Sequence, residues 1–335
     1  MNIVHIATRM KHHSPHSGYD RLSDFMPCER FKPAVMFKGP GIIPNRIWGM
    51  LLRKSSLYLV PEMKQEIELQ VKSWLRPNGI YHFLYGENDF RKFRPAGGSK
   101  LFVTYHFPPK KYAEYFLKPP SLRRVNAIIV VGSNQIDYFK RWFPREKILF
   151  IPHGVDTQFF RPKGDELREN KVLFVGCHLR DFDFLKNVIE KIGKGSRDVR
   201  FTIVTFKEKW KLFKGLKGVE LLSDIGEGEL LQLYQTHGLL FLPIIDGTAN
   251  NTLLEAASSW LPIITTDVGG VRDYLDEDSA ILLPAGKIDM AVSAIMDLLN
   301  DSRKRNELRM KAGKRMASFD WKVIAERMSR VYEAY

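Results

Sequence analysis

The chain has 335 residues, 44% hydrophobic and 27% charged, with two cysteines and a formal net charge of +14. That balance excludes a disordered chain and a small disulfide-stapled module, and the length suits two domains that each bury a core. The charge is lopsided: residues 1–163 hold 27 Lys/Arg against 12 Asp/Glu, whereas 164–335 hold 25 against 26. A basic half attracts anionic lipid, nucleic acid or an anionic substrate, while a surface tuned only for solubility has no need to confine its excess. Cys28 and Cys177 are far apart and fit no metal spacing, so a reduced cytoplasmic protein is expected. The start, MNIVHIATRM, lacks the apolar stretch of a signal peptide, and no run reaches the length of a membrane-spanning helix.

Residues 2–7 read as a first strand, followed by a loop with Gly18 and then a helix start at Tyr19, Asp20 and Arg21. His12, His13 and His16 lie in that loop, but they lack helical pairing and a completing carboxylate or thiolate, so no metal is expected. Residues 44–75 are basic and apolar by turns, with Arg46, Trp48, Arg53 and Lys54 standing among leucines. That composition suits a helix on a membrane surface, or a core-facing helix with a basic outer side. Residues 80–84 and 101–105 read as strands, each ending in polar residues: Tyr85-Gly86-Glu87 and His106-Phe107. Lys110, Lys111, Lys118, Arg123 and Arg124 add charge to the same half. Strands are expected at 127–132 and 148–152, with a helix at 133–143 between them.

The second half repeats the alternation. Strands are expected at 171–175, 200–205, 219–222, 239–243 and 263–265, with helices between and a helical end. Asp181 should cap the helix that carries Lys186, which makes the Asp181-Phe182-Asp183 triplet a cap rather than a metal site. The stretch from Leu239 to Leu275 is the most informative. Its strand runs into a small polar loop, Asp246 to Asn251, then into a helix that Thr252 can cap. A Gly269-Gly270 turn follows the next strand. Polar loops that feed helix starts at the carboxyl edge of a parallel sheet are where such sheets bind ligands, and free N–H groups there favour an anion.

The segments LLEA and LPIITTDVGGVRDYL, with IPHGVDTQFFRP and LFVTYHFPP before them, resemble the retaining glycosyltransferases of family 4. The resemblance implies an α/β protein with the GT-B fold, two doubly wound Rossmann-like domains facing a cleft. Residues 1–160 would form an acceptor-side domain, 161–316 a nucleotide-sugar domain, and 317–335 a helix crossing back to the first. It implies that Glu255 holds the donor ribose and that Arg180 and Lys186 hold its diphosphate, with Asn250, Asn251, Thr252 and Leu253 offering N–H groups. Gly18 would admit close approach of the backbone, and His106 and Asp246 would orient the sugar. The family usually carries an acid eight positions before Glu255, where this chain has Gly247.

The function implied is transfer of a hexose from a UDP- or GDP-linked sugar to a glycan or lipid-linked acceptor, with retention, no metal and no other cofactor. The basic half would place it peripherally on the inner face of a membrane, in polysaccharide biosynthesis, and no nucleic-acid motif accompanies the charge. The altered acid position leaves an alternative: an inactive GT-B module that binds an anionic glycan or a partner.

Overall fold

The computed structural model describes residues 2–7, 14–31, 60–115, 122–164, 169–196 and 198–335. The stretch with Trp48, together with His12, His13 and Lys118, lies outside them.

Two parallel sheets of six strands carry the chain. The first holds β1 (Ile3–Ile6), β2 (Glu29–Phe31), β3 (Ile80–Phe83), β4 (Lys100–Tyr105), β5 (Ala127–Val130) and β6 (Ile148–Phe150), in the order β2-β1-β3-β4-β5-β6. The second holds β7 (Glu169–Val175), β8 (Arg200–Val204), β9 (Val219–Leu222), β10 (His237–Leu242), β11 (Ile263–Thr266) and β12 (Ile281–Leu283), in the order β12-β11-β10-β7-β8-β9. Central strands such as β5, AIIV, and β10, HGLLFL, are buried at every residue. Strands covered by helices on both faces need that continuous apolarity.

The strands expected from sequence all form. Two edge strands, β2 and β12, are additional; each has three residues, β2 being largely exposed and β12 a short apolar run, Ile281-Leu282-Leu283. The helix expected at 133–143 is shorter, a 3₁₀ turn at Ser133–Gln135 leading into Ile136–Phe139. Within the stretch 44–75 the structure describes a helix at Val60–Leu75.

Strand order reverses direction between β1 and β3 in the first sheet and between β7 and β10 in the second. At such a switch the loops from the two strands leave in opposite directions and open a crevice at the carboxyl edge. Four loops therefore define the site before any side chain is considered: those after β1, β3, β7 and β10.

The last helix, Trp321–Ala334, starts at an Asp320 cap and packs into the first domain's core beside Ile3, Tyr19 and Phe102. Trp321 lies so close to Gly154 that a Cβ there would come within 2.4 Å of its ring. Tyr332 plugs a buried polar network: its hydroxyl meets His5 Nε2 at 3.0 Å and His82 Nδ1 at 2.5 Å, while His82 Nε2 meets Thr104 at 2.7 Å. Burial lowers both histidines, His5 to about 3, so both are neutral in the fold. The unfolded chain takes up those protons near the ordinary histidine value, so stability is full above it and falls as pH drops below it. Tyr332→Phe orphans two buried ring nitrogens and is expected to cost about 1–3 kcal/mol. Urea unfolding of the two proteins at neutral pH checks this; equal midpoints would contradict it.

Candidate active site

The second domain supplies a cation and a helix start. Gly176, at φ 98°, ends β7, and a Cβ there would sit 2.8 Å from Arg180 Nη2, so the glycine makes room for the guanidinium. Arg180 is fixed by its own loop: Nε donates to Val175 O at 3.0 Å and Nη1 to His178 O at 3.0 Å. Its Nη2 donates to Thr252 Oγ1 at 3.1 Å and lies 3.5 Å from Asn250 Oδ1. Burial lowers it to about 10, which leaves it charged at neutral pH.

The helix Asn251–Ser258 begins where Arg180 ends. Its N-cap is Asn250, not Thr252, and the Asn250 side chain makes no capping bond. Thr252 lies inside the first turn, where its hydroxyl takes the arginine instead. The N–H groups of Asn251 and Thr252 have no hydrogen-bond partner among the described residues, while those of Leu253 and Leu254 bond to Asn250 O. A charged guanidinium and free N–H groups at a helix N-terminus together form a receptor for a phosphate-like anion.

Glu255 is 6% exposed, one turn further along, and accepts from Tyr234 Oη at 3.0 Å. Burial raises its carboxyl to about 8, Glu227 adds to the rise, and the Tyr234 bond and Arg180 oppose it. It lines a crevice shared with His16, Ser17 and Gly18 of the first domain and His153 of the connection. Gly18, at φ 98° and ψ 150°, has a backbone shape that side-chain-bearing residues avoid.

The loop after β1 reaches across this crevice. Glu227, at the start of the helix Glu227–Thr236, accepts from the Ser14 hydroxyl and, at 3.0 Å, from His16 N. His16 Nδ1 donates to Asp156 at 2.8 Å, and the His16 ring stacks on Phe159 at 3.9 Å. Burial would raise Asp156, but His16, Phe159 N and Arg21 outweigh it and hold the carboxyl below its ordinary value. Asp20 is buried against Tyr85 Oη, and Arg21 joins Asp156 at 2.8 Å. His16 is thus an interdomain contact. Among the described residues no group of three His, Cys, Asp or Glu side chains forms a metal set.

The first domain also supplies His106, just past β4. Its Nδ1 lies 3.1 Å from Glu87 Oε1, its backbone N donates to Glu87 Oε2 at 3.3 Å, and its carbonyl accepts from Thr248 of the second domain. The loop 246–249 is held from both sides. Asn134 donates to Gly247 O at 3.0 Å, and Gly270 N donates to the same oxygen at 3.0 Å. At Gly269 a Cβ would come within 2.2 Å of Gly247 O, so only glycine lets the turn nest there.

The structure therefore brings Gly18, Asn250, Asn251, Thr252, Leu253 and Glu255 together around Arg180 and the crevice, with His106 on the facing domain. Two expected residues stand differently. Lys186 lies on the outer side of the helix Phe182–Gly195, 42% exposed and 3.7 Å from Glu190, a pair one turn apart on that helix. Since the helix is capped by Asp181, its fifth residue faces solvent rather than the β7 loop. Asp246 is half-buried, and its Oδ1 accepts from Gly247 N at 2.8 Å, folded onto its own loop. A Cβ at Gly247 would meet only Ile244 Cδ1 at 3.8 Å, so space for a side chain exists there without an acid to fill it. Sequence reasoning missed Glu227 and Tyr234, which carry no local motif, and noted Glu87 only as a polar residue past a strand.

The chain is similar to known proteins in sequence and in fold. Residues 169–301 match the family described as glycosyl transferases group 1. The chain is 26% identical over 230 residues to a sulfoquinovosyl transferase of Arabidopsis thaliana, covering 62% of this chain and 42% of that protein. It is 29% identical over 254 residues to a phosphatidyl-myo-inositol mannosyltransferase of Mycolicibacterium smegmatis, covering 71% and 66%. The chain thus spans less than half of the first of these relatives and about two thirds of the second. A crystal structure of Anabaena HepE in complex with UDP superposes over 100% of both chains with a TM-score of 0.70 and 11% identity, a likeness of fold. Residues 169–301 are thus similar to the group 1 glycosyl transferases, and the chain that carries them has the GT-B fold.

Proposed function

We propose that the protein is a retaining hexosyltransferase that takes a UDP- or GDP-linked sugar in the crevice and passes the hexose to a glycan or lipid-linked acceptor. The observation that carries this reading is the convergence of Arg180, the free N–H groups of Asn251 and Thr252, and buried Glu255 at the second sheet's switch point. Arg180 and the helix start meet the diphosphate and stabilise it as the leaving group, so charge that develops during transfer is matched by groups already in place. Glu255 accepts the ribose hydroxyls. His106 orients the sugar from the opposite domain. Asp246 enters this reading only if its loop turns outward when the donor arrives. No metal is required where a guanidinium and a helix N-terminus already balance the diphosphate.

Gly247 favours the second reading, an inactive module that binds a glycan or a partner, because it leaves one side of the sugar without an acid. Thermal-shift screening against UDP and GDP sugars, followed by assay of sugar transfer and release, separates the two. A donor that raises the melting temperature and is turned over supports the enzyme. Stabilisation with no turnover supports the module.

The acceptor side of this reading is an anionic membrane surface. The helix Val60–Leu75 turns apolar residues outward: Ile67 is 40% exposed, Val71 45%, Trp74 64% and Leu75 77%. Its inward side holds Leu69, packed in the core, together with buried Gln65, Glu66 and Ser73. Arg76 borders the stripe at 62% side-chain exposure, and Lys92 and Arg94 are exposed on the segment that bonds to Glu66 and Ser73. Basic residues near an anionic leaflet contribute about 1 kcal/mol each, and the attraction weakens with salt. The protein is expected to pellet with anionic vesicles at low salt and far less with neutral ones. Trp74→Ser with Leu75→Ser should reduce that recovery severalfold; equal supernatant recovery with both vesicle types would contradict the reading.

A further inference from the structure

We propose that Glu87 is a positioning residue that sets the proton on His106, a role that rests on the transferase reading of the same cleft. The geometry begins with Gly86. A Cβ there would come within 2.3 Å of Val103 and 2.9 Å of Tyr105, so the glycine lets the Gly86–Asp89 turn lie flush on β4. Glu87 is thereby buried at 5% exposure, with both carboxylate oxygens on His106. A carboxylate can only accept, so in the neutral ring the Nδ1 that faces it carries the hydrogen. The other nitrogen, Nε2, is left as an acceptor, and it is buried without a hydrogen-bond partner among the described residues. The rings of Tyr19 and Tyr85 flank the imidazole at 4.8 and 4.9 Å and restrict its rotation.

A buried acceptor without a donor is costly unless a ligand supplies one. The chemistry it selects is a hydroxyl group, which donates to Nε2; a carbonyl or phosphate oxygen would meet only a lone pair. Glu87 thus makes the cleft selective for a hydroxyl-bearing sugar at this point, acting through His106 without touching the substrate.

The test is ¹⁵N NMR of histidine-labelled protein at pH above the imidazole titration, together with kinetics. His106 should show hydrogen on Nδ1 and none on Nε2. Glu87→Gln keeps the shape with a weaker acceptor and should mix the two tautomers; Glu87→Leu should shift His106 to the Nε2–H form. Transfer should fall about tenfold to a hundredfold in kcat, with donor KM changed less than about threefold. Combining Glu87→Leu with His106→Ala should cost no more than His106→Ala alone. An Nε2–H tautomer in the unaltered protein, or tautomers unmoved in Glu87→Gln, would overturn the proposal. The NMR readout needs no donor, so it stands or falls separately from the transferase reading.

Discussion

Glu255→Gln is expected to raise the melting temperature of the ligand-free protein while weakening donor binding about tenfold or more. Burial lifts the Glu255 carboxyl from its ordinary 4.5 to about 8. A carboxyl raised by folding gives full stability below its unfolded value and loses it as pH climbs through its folded value. The native protein therefore gives up stability between about pH 4.5 and 8, the interval bounded by those two values. The amide never ionises, and its oxygen still accepts from Tyr234. The gap in melting temperature between Gln and Glu should be near zero in acid, open through that interval and level off in alkali. The same substitution replaces one carboxyl oxygen facing the ribose hydroxyls with an amide NH2 that cannot accept, which costs about 1–3 kcal/mol of affinity where a buried group is left unsatisfied. A residue retained for packing alone would not combine a gain in stability with a loss of binding. Differential scanning fluorimetry across pH and calorimetric titration of the donor measure both effects. Parallel loss of stability and affinity would return Glu255 to a structural role.

His106→Ala is expected to cut sugar transfer by about a hundredfold, a loss of the size expected when a bound substrate is no longer held in its reactive orientation. The fold should tolerate it. The Thr248 bond runs to the backbone carbonyl, and the backbone N still meets Glu87, so the interdomain contacts survive. The variant does leave the buried Glu87 carboxylate with one bond fewer, so a modest drop in stability accompanies the change. Turnover and melting temperature should therefore separate. A fall in activity matched by an equal fraction of unfolded protein would make His106 a structural residue.

Much of the fold was legible because buried parallel strands leave continuous apolar runs. AIIV and the run in β10 announce themselves, and the polar residues after them mark the carboxyl edge. The edge strand β2, Glu29-Arg30-Phe31, gave no such signal, since an edge residue is covered on fewer sides, and the apolar run of β12 is only three residues long. Local motifs also marked the glycine turn before Arg180 and the helix start at Asn250, because both are features of neighbouring residues. They failed where the partner is distant in sequence. Glu227 meets Ser14 and His16 across more than two hundred positions, and Tyr234 reaches Glu255 from another helix. Lys186 pairs with Glu190 at 3.7 Å on the exposed side of its helix, a placement set by helix geometry rather than by the neighbouring sequence. Thr252 was read as a cap from its position, but the arginine that takes its hydroxyl comes from the loop after β7.

Isothermal titration of UDP and GDP against the native protein and Arg180→Ala tests the donor site most directly. One nucleoside diphosphate should bind the native protein at a single site, and the variant should bind it at least tenfold more weakly, the loss expected when a charged hydrogen bond to a diphosphate is removed. Binding of neither nucleotide to the folded native protein, or equal binding to both proteins, would contradict a nucleotide-sugar site built on Arg180.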